Sequence, residues 1–311
     1  MYLYQYKKST INYEKYNEND YIVLKFPVNY ATHYEENKNV YVHLFESNKI
    51  LGDIIFLHGI GNNNIPYLEW YARFFKTQGY RTSVVILPYH LKRTPKGMNG
   101  GDPFYSADPD KCVIEFHNAV KDVRRTIDLI ENFKDFKENN LYLFGISFGG
   151  IIGTMTLALD KRFKKGVLMI TGGNWRWINF HSPYTYKVRE EYKTKGNAYG
   201  CNSEEFCIKH FRKDPVNFVS KKFQRIEDVF DKAPIPCYSY DPISFAKFVN
   251  QPILFIRGIF DKIIPKEATD DLISLLPNAS VQKIPTGHKS SILFKRLVGK
   301  KILNFLQKHN Y

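Results

Sequence analysis

The pentapeptide Gly145-Ile146-Ser147-Phe148-Gly149 has the spacing of a serine nucleophile held in a sharp turn. It follows the apolar run 141–144 and opens a glycine-rich apolar stretch, which predicts a strand, a turn and a helix. In such a turn the serine backbone is strained, and side chains at the flanking positions would collide with neighbouring strands. The helix N-terminus offers free N–H groups to a developing oxyanion. We interpret Ser147 as a candidate nucleophile; a glycine-rich turn without chemical meaning is the alternative.

A serine hydroxyl needs a base, and that base needs an acid to orient it. Asp261 and His288 follow two later apolar runs, in the chain order serine, acid, base. Each lies just beyond the carboxyl end of its predicted strand, and in a parallel sheet such ends meet at one edge. We expect His288 to take the Ser147 proton and Asp261 to fix the tautomer of His288. Asp270 and Asp271 are poorer candidates for the acid because they fall inside a predicted helix.

The motif His58-Gly59-Ile60-Gly61 directly follows another predicted strand. A turn of this kind lets backbone N–H groups face the serine. We expect the N–H groups of Ile60 and Phe148 to form an oxyanion hole, with Gly61 as the second choice for Ile60. We expect His58 itself to pack or to form hydrogen bonds rather than to act as a catalyst.

These candidates depend on an alternation of strands and helices that begins after residue 50. Apolar runs of strand length are 53–57, 82–87, 141–145, 166–171, 252–257 and 280–284. Helical patterns lie at 67–77, 109–136, 148–159, 266–276 and 290–308. The alternation predicts an α/β fold: a mainly parallel sheet with helices on both faces. The earlier runs 21–26 and 40–46 predict two strands that pair as an antiparallel edge.

One stretch interrupts this alternation. About eighty residues separate the predicted strands 166–171 and 252–257, far more than an ordinary crossover connection needs. The first part is rich in tryptophan and tyrosine, and charged helical pieces follow around 203–211 and 215–230.

We interpret residues 174–245 as a cap or lid over the carboxyl edge of the sheet, inserted into an α/β core made of residues 1–173 and 246–311. A separate helical domain with no role at the site is the alternative. The aromatic start of the insertion suggests an apolar or sugar-stacking pocket, and Trp175 is a candidate substrate contact.

The segment after the predicted strand 82–87 leaves the sheet at the same edge as Ser147 and should border the pocket. His90 and Arg93 are candidates to orient a polar or anionic group of the substrate; anchoring of the loop is the alternative. His90, Asp102 and Asp108 lack the spacing of metal ligands, so we expect no metal site.

Taken together, these motifs resemble the α/β-hydrolase superfamily over about three quarters of the chain, from His58 to His288. The resemblance implies a mostly parallel eight-stranded sheet, a triad of Ser147, His288 and Asp261, no cofactor, and a lid inserted after the sixth strand. The oxyanion loop lacks the longer glycine run of hormone-sensitive-lipase-like esterases. The segment after 82–87 is loosely similar to that of bacterial hydrolases related to acetyl-xylan esterases.

Composition agrees with a folded soluble chain of one large domain or two modest ones. The 311 residues are 43% hydrophobic and 24% charged, which excludes a disordered chain, a collagen-like chain and a small disulfide scaffold. Lys and Arg outnumber Asp and Glu by 45 to 31, a net charge of +14 that suits nucleic acid, an anionic membrane or an acidic substrate. No nucleic-acid-binding module is recognisable, so we expect no nucleic-acid partner.

Segment 289–308 carries six basic residues and no acidic one, interleaved with apolar residues, as in an amphipathic helix with a basic face. No apolar run reaches 18 residues, and no apolar stretch follows Lys7 and Lys8, so we expect neither a membrane span nor a signal peptide. The four cysteines show no C-x-x-C spacing; we expect free thiols and a cytoplasmic protein.

The pattern favours a serine hydrolase that forms an acyl-enzyme on Ser147, with a small-molecule carboxylic ester as substrate. Amides, thioesters and lactones suit the same machinery. Two alternatives stay open: a lipase or phospholipase that works at a membrane surface through 289–308 and the lid aromatics, and a non-catalytic binding protein. The oligomeric state does not follow from the sequence.

Overall fold

The computed structural model describes residues 5–308. Residues 1–4 and 309–311 lie outside the described residues. They are the outer ends of the two predicted core segments, and 1–4 also begin the N-terminal stretch that is predicted to lack a signal peptide. In the described part, nine strands form one sheet: β1 (Glu14–Glu18), β2 (Tyr21–Pro27), β3 (Asn39–Phe45), β4 (Gly52–Leu57), β5 (Tyr80–Ile86), β6 (Leu141–Ile146), β7 (Lys165–Met169), β8 (Ile253–Gly258) and β9 (Ala279–Ile284). Their order is β1-β2-β3-β5-β4-β6-β7-β8-β9.

Most of the sheet is parallel. Strands β4 to β9 pair in parallel with their neighbours, whereas β1, β2 and β3 form an antiparallel edge that joins the sheet at β5. The predicted mostly parallel sheet with an antiparallel edge is confirmed, with one strand more than the eight that the resemblance implies.

The helices cover both faces of the sheet. They are α1 (Ile65–Thr77), α2 (Pro109–Ile130), α3 (Phe148–Leu159), α4 (Trp175–His181), α5 (Tyr186–Thr194), α6 (Glu204–His210), α7 (Pro215–Lys222), α8 (Asp228–Asp231), α9 (Pro242–Ala246), α10 (Lys266–Leu275) and α11 (Lys295–Gln307). Buried side chains of α1 and α11 share one apolar cluster, and those of α2, α3, α9 and α10 share another. Across residues 5–308, no helix combines the length and apolarity that crossing a membrane requires.

Strand β4 shows how the sequence divides between these two clusters. Ile54 and Phe56 belong to the α1 side, and Ile55 and Leu57 belong to the α2 side. All four side chains are buried, because both faces of this part of the sheet are covered. Successive side chains of a strand point to opposite faces, so a central parallel strand appears in the sequence as a continuous apolar run.

The differences from the predicted elements have local causes. Strand β1 was not predicted because it is polar and mostly exposed, an edge strand that pairs with β2 across a turn in which Asn19 has φ 45°. Helix α2 ends six residues before the predicted limit of 136, where the side-chain amide of Asn132 donates to the carbonyl of Asp128 at 2.7 Å. The predicted helix 290–308 is a 3₁₀ segment over Lys289–Phe294 that continues as α11.

The long insertion between β7 and β8 is closed at its base by a buried network around Asp241. The carboxylate of Asp241 accepts hydrogen bonds from the backbone N–H groups of Asn174 (2.7 Å) and Trp175 (2.9 Å). It also binds the guanidinium of Arg212 at 2.6 Å, and both partners of this ion pair are fully buried. Because Asn174 opens the insertion and Asp241 lies near its end, the network holds the two ends together.

The body of the insertion packs on the α2 side of the sheet. Val188, Tyr192 and Val219 belong to the same apolar cluster as the helices of that face. At the segment after β5, the N–H of Ala107 donates to the carboxylate of Glu191 at 2.8 Å. The insertion therefore has a defined position relative to the carboxyl edge of the sheet.

Among the histidines buried within this fold, His58, His90 and His117 have a lowered pKa. Burial lowers the pKa of His90 and of His117 to about 4, and it holds the pKa of His58 well below its usual value of 6.5. All three are therefore neutral in the folded protein at pH 7.

Breaking the network at the base of the insertion should destabilise the protein strongly. Asp241→Ala leaves the charge of Arg212 buried without a partner and should lower the free energy of unfolding by about 3–5 kcal/mol. Glu190→Ala is the matched control, since it removes an exposed ion pair with Lys193 and should cost less than about 1 kcal/mol. Urea unfolding of both variants measures the difference, and equal losses would contradict the role of the network.

The buried histidines make stability fall in mild acid. The unfolded chain binds protons at these rings below a pH of about 6.5, whereas His90 and His117 resist protonation in the folded chain down to about pH 4. Stability is therefore fully present above about pH 6.5 and is lost as the pH falls toward 4, by up to about 3 kcal/mol each for His90 and His117.

Urea unfolding between about pH 7 and pH 5 measures this slope, in a range where most carboxylates stay ionised. His117→Gln keeps a donor toward the carbonyl of Ser239, which the ring contacts at 2.7 Å, and removes one titrating group. Its slope should be shallower than that of the unmodified protein; an identical slope would argue against the contribution of His117.

Candidate active site

Ser147 lies in the turn between β6 and α3 with φ 55° and ψ −118°, a conformation that an L-residue adopts only under strain. Neighbouring backbone holds it there. The N–H of Ser147 donates to the carbonyl of Met169 on β7 at 2.9 Å, and the hydroxyl of Thr171 donates to the carbonyl of Ser147 at 2.8 Å. The serine side chain is thereby presented above the carboxyl edge of the sheet.

The glycines on either side of Ser147 are required by close backbone contacts. A Cβ at Gly145 would collide with the backbone of Gly149, and a Cβ at Gly149 would collide with the carbonyl of Leu57 at the end of β4. Both glycines of the G-x-S-x-G motif are therefore needed because α3 lies so close to the sheet at this point.

His288 connects Ser147 to Asp261. Its Nε2 lies 2.8 Å from the Ser147 Oγ, and its Nδ1 lies 2.8 Å from the Oδ2 of Asp261. The other carboxylate oxygen of Asp261 accepts from the N–H groups of Ile263 (2.8 Å) and Ile264 (3.0 Å), which fixes the carboxylate. With its proton on Nδ1, His288 donates to Asp261 and accepts the hydroxyl proton of Ser147.

The structure thus brings together the three residues at the ends of β6, β8 and β9 that the sequence singled out. The side chains of Asp261 and His288 are mostly buried, so water competes weakly for their hydrogen bond.

The loop 58–61 lies against the serine. A Cβ built on Gly59 would be 3.5 Å from the Ser147 Cβ. Within residues 5–308, neither the N–H of Ile60 nor that of Phe148 donates a hydrogen bond to another group. Both are free to bind an oxyanion.

Gly61, the second choice for the oxyanion hole, has its N–H committed to the ring of His90. That N–H donates to the His90 Nε2 at 3.0 Å, and the His90 Nδ1 donates to the carbonyl of Pro88 at 2.8 Å. The side-chain amide of Asn64 donates to the carbonyl of Ile60 at 2.7 Å. The loop is therefore fixed from both sides. Of the two N–H groups considered as the second oxyanion donor beside Phe148, that of Gly61 is occupied, and that of Ile60 remains.

His58 has the structural role that the sequence predicts. Its Nδ1 donates to the carbonyl of Gly59 at 2.7 Å, and its Nε2 accepts the N–H of Leu87 at 3.1 Å. The side chain thus ties the loop to the end of β5.

The three predicted substrate contacts His90, Arg93 and Trp175 do not reach the cavity above the serine. His90 is fully buried beneath the oxyanion loop, where both ring nitrogens are occupied. Arg93 is fully buried in an ion pair with Asp122 at 2.8 Å, which makes it an anchor of its loop.

Trp175 is buried among aromatic rings, and its indole N–H donates to the carbonyl of Tyr240 at 3.3 Å. The sequence pattern placed all three residues in the correct segments, but it does not show which way their side chains point.

A cavity of about 720 Å³ opens above Ser147. Its walls come from the oxyanion loop and the asparagines that follow it, the segment after β5, the start of the insertion, and the chain around His288. Lining residues that the sequence analysis did not assign to the site include Tyr67, Met98, Asn99, Tyr184, Tyr186 and Lys187.

Tyr184 marks where the insertion meets the triad. Its ring centroid lies 6.4 Å from that of His288, and the Nζ of Lys289 lies 6.0 Å from the Tyr184 ring. Across the cavity, Lys187 pairs with Asp102 of the segment after β5 at 3.3 Å. The aromatic-rich start of the insertion was the signal for Tyr184, whereas nothing in the sequence distinguishes Lys187.

Among the described residues, no three His, Cys, Asp or Glu side chains are grouped so that they could hold a metal ion.

No family model matches this sequence, and no curated protein matches it significantly. Solved structures do match. The chain is similar to a cold-adapted esterase from an Arctic intertidal metagenomic library, with 16% identity, a TM-score of 0.55, and coverage of 96% of this chain and 100% of that one. It is also similar to an acetyl xylan esterase from Paenibacillus sp. R4, with 12% identity, a TM-score of 0.60, and coverage of 98% and 90%.

An α/β-hydrolase from Penicillium sp. sh18 matches with 14% identity, a TM-score of 0.57, and coverage of 92% of this chain and 98% of that one. At such low identity the likeness establishes architecture. Together with the strand order and the strained serine between β6 and α3, it shows that this chain has the α/β-hydrolase fold.

Proposed function

We propose that this protein is a serine hydrolase that cleaves carboxylic esters through an acyl-enzyme on Ser147. The observation that carries the proposal is the position of His288, whose two ring nitrogens lie 2.8 Å from Ser147 and 2.8 Å from Asp261. The esterases among the structural neighbours support the same bond type.

In the acylation step, His288 takes the hydroxyl proton as the Ser147 Oγ attacks the ester carbonyl carbon. The carbonyl oxygen becomes an oxyanion and accepts hydrogen bonds from the N–H groups of Ile60 and Phe148. The intermediate then expels the alcohol, which takes the proton from His288, and an acyl-enzyme remains. Asp261 stabilises the histidine cation while it exists.

Deacylation repeats these steps with water as the nucleophile. His288 removes a proton from water, the hydroxide adds to the acyl carbon, and the same two N–H groups hold the oxyanion. Collapse returns the proton to the Ser147 Oγ and releases the carboxylic acid.

The cavity suits a small ester with polar groups. Its lining combines asparagines and tyrosines with aliphatic side chains such as Ile60, Leu68 and Ile292. Its charged groups are the amines of Lys187 and Lys289 and one carboxylate, that of Asp102. We infer a neutral or acidic substrate, since the amines disfavour a cation. The acetyl xylan esterase among the neighbours supports a carbohydrate ester as the first class to test.

We infer further that the insertion 174–245 acts as a cap, because Tyr184, Tyr186 and Lys187 form one wall of the cavity.

The four cysteines are free thiols, which supports the predicted cytoplasmic location.

The decisive variant is Ser147→Ala. It should lower turnover of an acetyl or butyryl ester by about 10⁴–10⁶-fold because it removes the nucleophile. It should also abolish the single stoichiometric adduct that a fluorophosphonate forms with the unmodified protein, as measured by intact mass.

Ser274→Ala is the matched control, since Ser274 is exposed on α10 and bonds only the carbonyl of Asp271. The fluorophosphonate should label this variant, and the variant should hydrolyse the ester, to the same extent as the unmodified protein. Near-normal turnover in a folded Ser147→Ala variant would remove the proposal, and a folded protein inert to both ester and probe would favour a binding role.

His90 should act as a positioning residue for the oxyanion loop. His90→Ala removes the acceptor of the Gly61 N–H, so the neighbouring N–H of Ile60 is no longer held in one position. We expect kcat to fall by about 10²–10³-fold with little change in KM, since the oxyanion exists only after attack.

His90→Gln supplies a side-chain oxygen as acceptor and should recover part of the loss. Steady-state kinetics of both variants separate kcat from KM. An unchanged kcat in His90→Ala, or a His90→Gln variant no better than His90→Ala, would show that the loop holds its position without this contact.

A further inference from the structure

Large apolar side chains are exposed beside the cavity, on the two segments that carry the acid and the base. Leu293 is 80% exposed and Phe260 is 62% exposed, and Ile259 and Leu297 are exposed as well. We name these four residues the rim patch. Single exposed apolar residues are common, but four such side chains on the segments next to Asp261 and His288 indicate a surface that contacts something apolar.

The geometry places the rim patch close to the reacting groups. Ile259 and Phe260 directly precede Asp261, and the N–H of Phe260 donates to the carbonyl of Thr286 at 2.9 Å, which holds this turn beside the loop of His288. Leu293 lies in the 3₁₀ segment that follows His288.

Leu297 lies in the first turn of α11, where it shares an exposed face with Leu293, Arg296 and Lys300. The apolar side chains of the rim patch thus continue into a basic helix face.

The exposed charged side chains on the segments 259–262 and 289–300 are all cations. Lys262, Lys289, Arg296 and Lys300 are exposed, and none forms an ion pair within residues 5–308.

Two acids of the neighbouring elements are engaged: Asp261 holds His288, and Asp270 is shared by Arg257 and Lys266. Glu267, in the first turn of α10, is exposed. Segment 289–308 contains no acidic residue. The cations near the rim patch therefore keep their charge free for an external partner.

This combination argues for an anionic partner with an apolar layer beneath its charge. A second copy of the chain fits poorly, because a symmetric contact through this face would bring the four cations of each copy together. An anionic phospholipid bilayer supplies both features, with phosphates at the surface and acyl chains below.

We propose that the rim patch docks on anionic phospholipid membranes, with Phe260 and Leu293 entering the headgroup region and the surrounding cations contacting phosphates. Docking in this orientation sets the mouth of the cavity against the bilayer. The inference goes beyond ester hydrolysis, because it concerns where the protein resides and not which bond it cleaves.

Co-sedimentation with vesicles tests the proposal. The unmodified protein should pellet with vesicles of phosphatidylcholine and phosphatidylglycerol, and much less with phosphatidylcholine alone. Raising the salt to about 0.5 M should release it, because the Debye length then falls to a few Å.

The double variant Phe260→Ser/Leu293→Ser should bind the anionic vesicles at least about tenfold more weakly, since it removes both inserting side chains. Lys262→Gln/Arg296→Gln/Lys300→Gln should lose the preference for anionic lipid. Ile114→Ser is the matched control: Ile114 is 51% exposed on α2, which contributes no residue to the cavity, and its binding should not change.

Turnover of a soluble ester by these variants should match that of the unmodified protein, because none of the changed side chains lines the cavity. This control separates the docking proposal from the catalytic one.

Several results would overturn the docking proposal. They are no pelleting of the unmodified protein, equal binding to both vesicle types, or equal losses in Phe260→Ser/Leu293→Ser and Ile114→Ser. A dimer in light scattering that the same double variant dissociates would instead identify the rim patch as a self-association surface.

Discussion

Ser147 can keep a φ of 55° because β7 and α3 hold it from opposite sides. Its N–H is bonded to β7 and its carbonyl receives the hydroxyl of Thr171, so the surrounding sheet supplies the roughly 1–3 kcal/mol that such a conformation costs. The absence of side chains at Gly145 and Gly149 permits the approach of α3. His288 and the loop 58–61 both meet this fixed serine.

Much of this arrangement could be predicted because it depends on local sequence. Central strands buried on both faces appear as apolar runs, and residues that directly follow them must lie at the carboxyl edge. Ser147 and Asp261 each follow such a run, whereas His288 follows β9, an edge strand that is mostly exposed. The three side chains lie within hydrogen-bond distance in the structure. The start of α3 was placed correctly because the glycines on either side of the serine mark the turn.

The rest depends on contacts between distant segments. The burial of Arg93 is set by Asp122, which lies 29 residues away on α2, and the pairing of His90 is set by Gly61. The sequence of a loop does not show which distant residues its side chains contact. The side chains of Arg93 and His90 were therefore interpreted as available to a substrate. Strand β1 escaped prediction for another reason: an exposed edge strand has no apolar run to mark it.

The base of the insertion has a consequence for how this chain can change over time. Since Asn174 and Asp241 meet in one buried network, the insertion leaves and rejoins the core at a single point. The entropy of a closed loop changes only slowly with its length, so the segment between these two ends can change length at little entropic cost. The limit on such changes is set by Val188, Tyr192 and Val219, which pack in the core cluster of the α2 side. Tyr184 and Lys187 lie on this segment, whereas Ser147, Asp261 and His288 lie outside it.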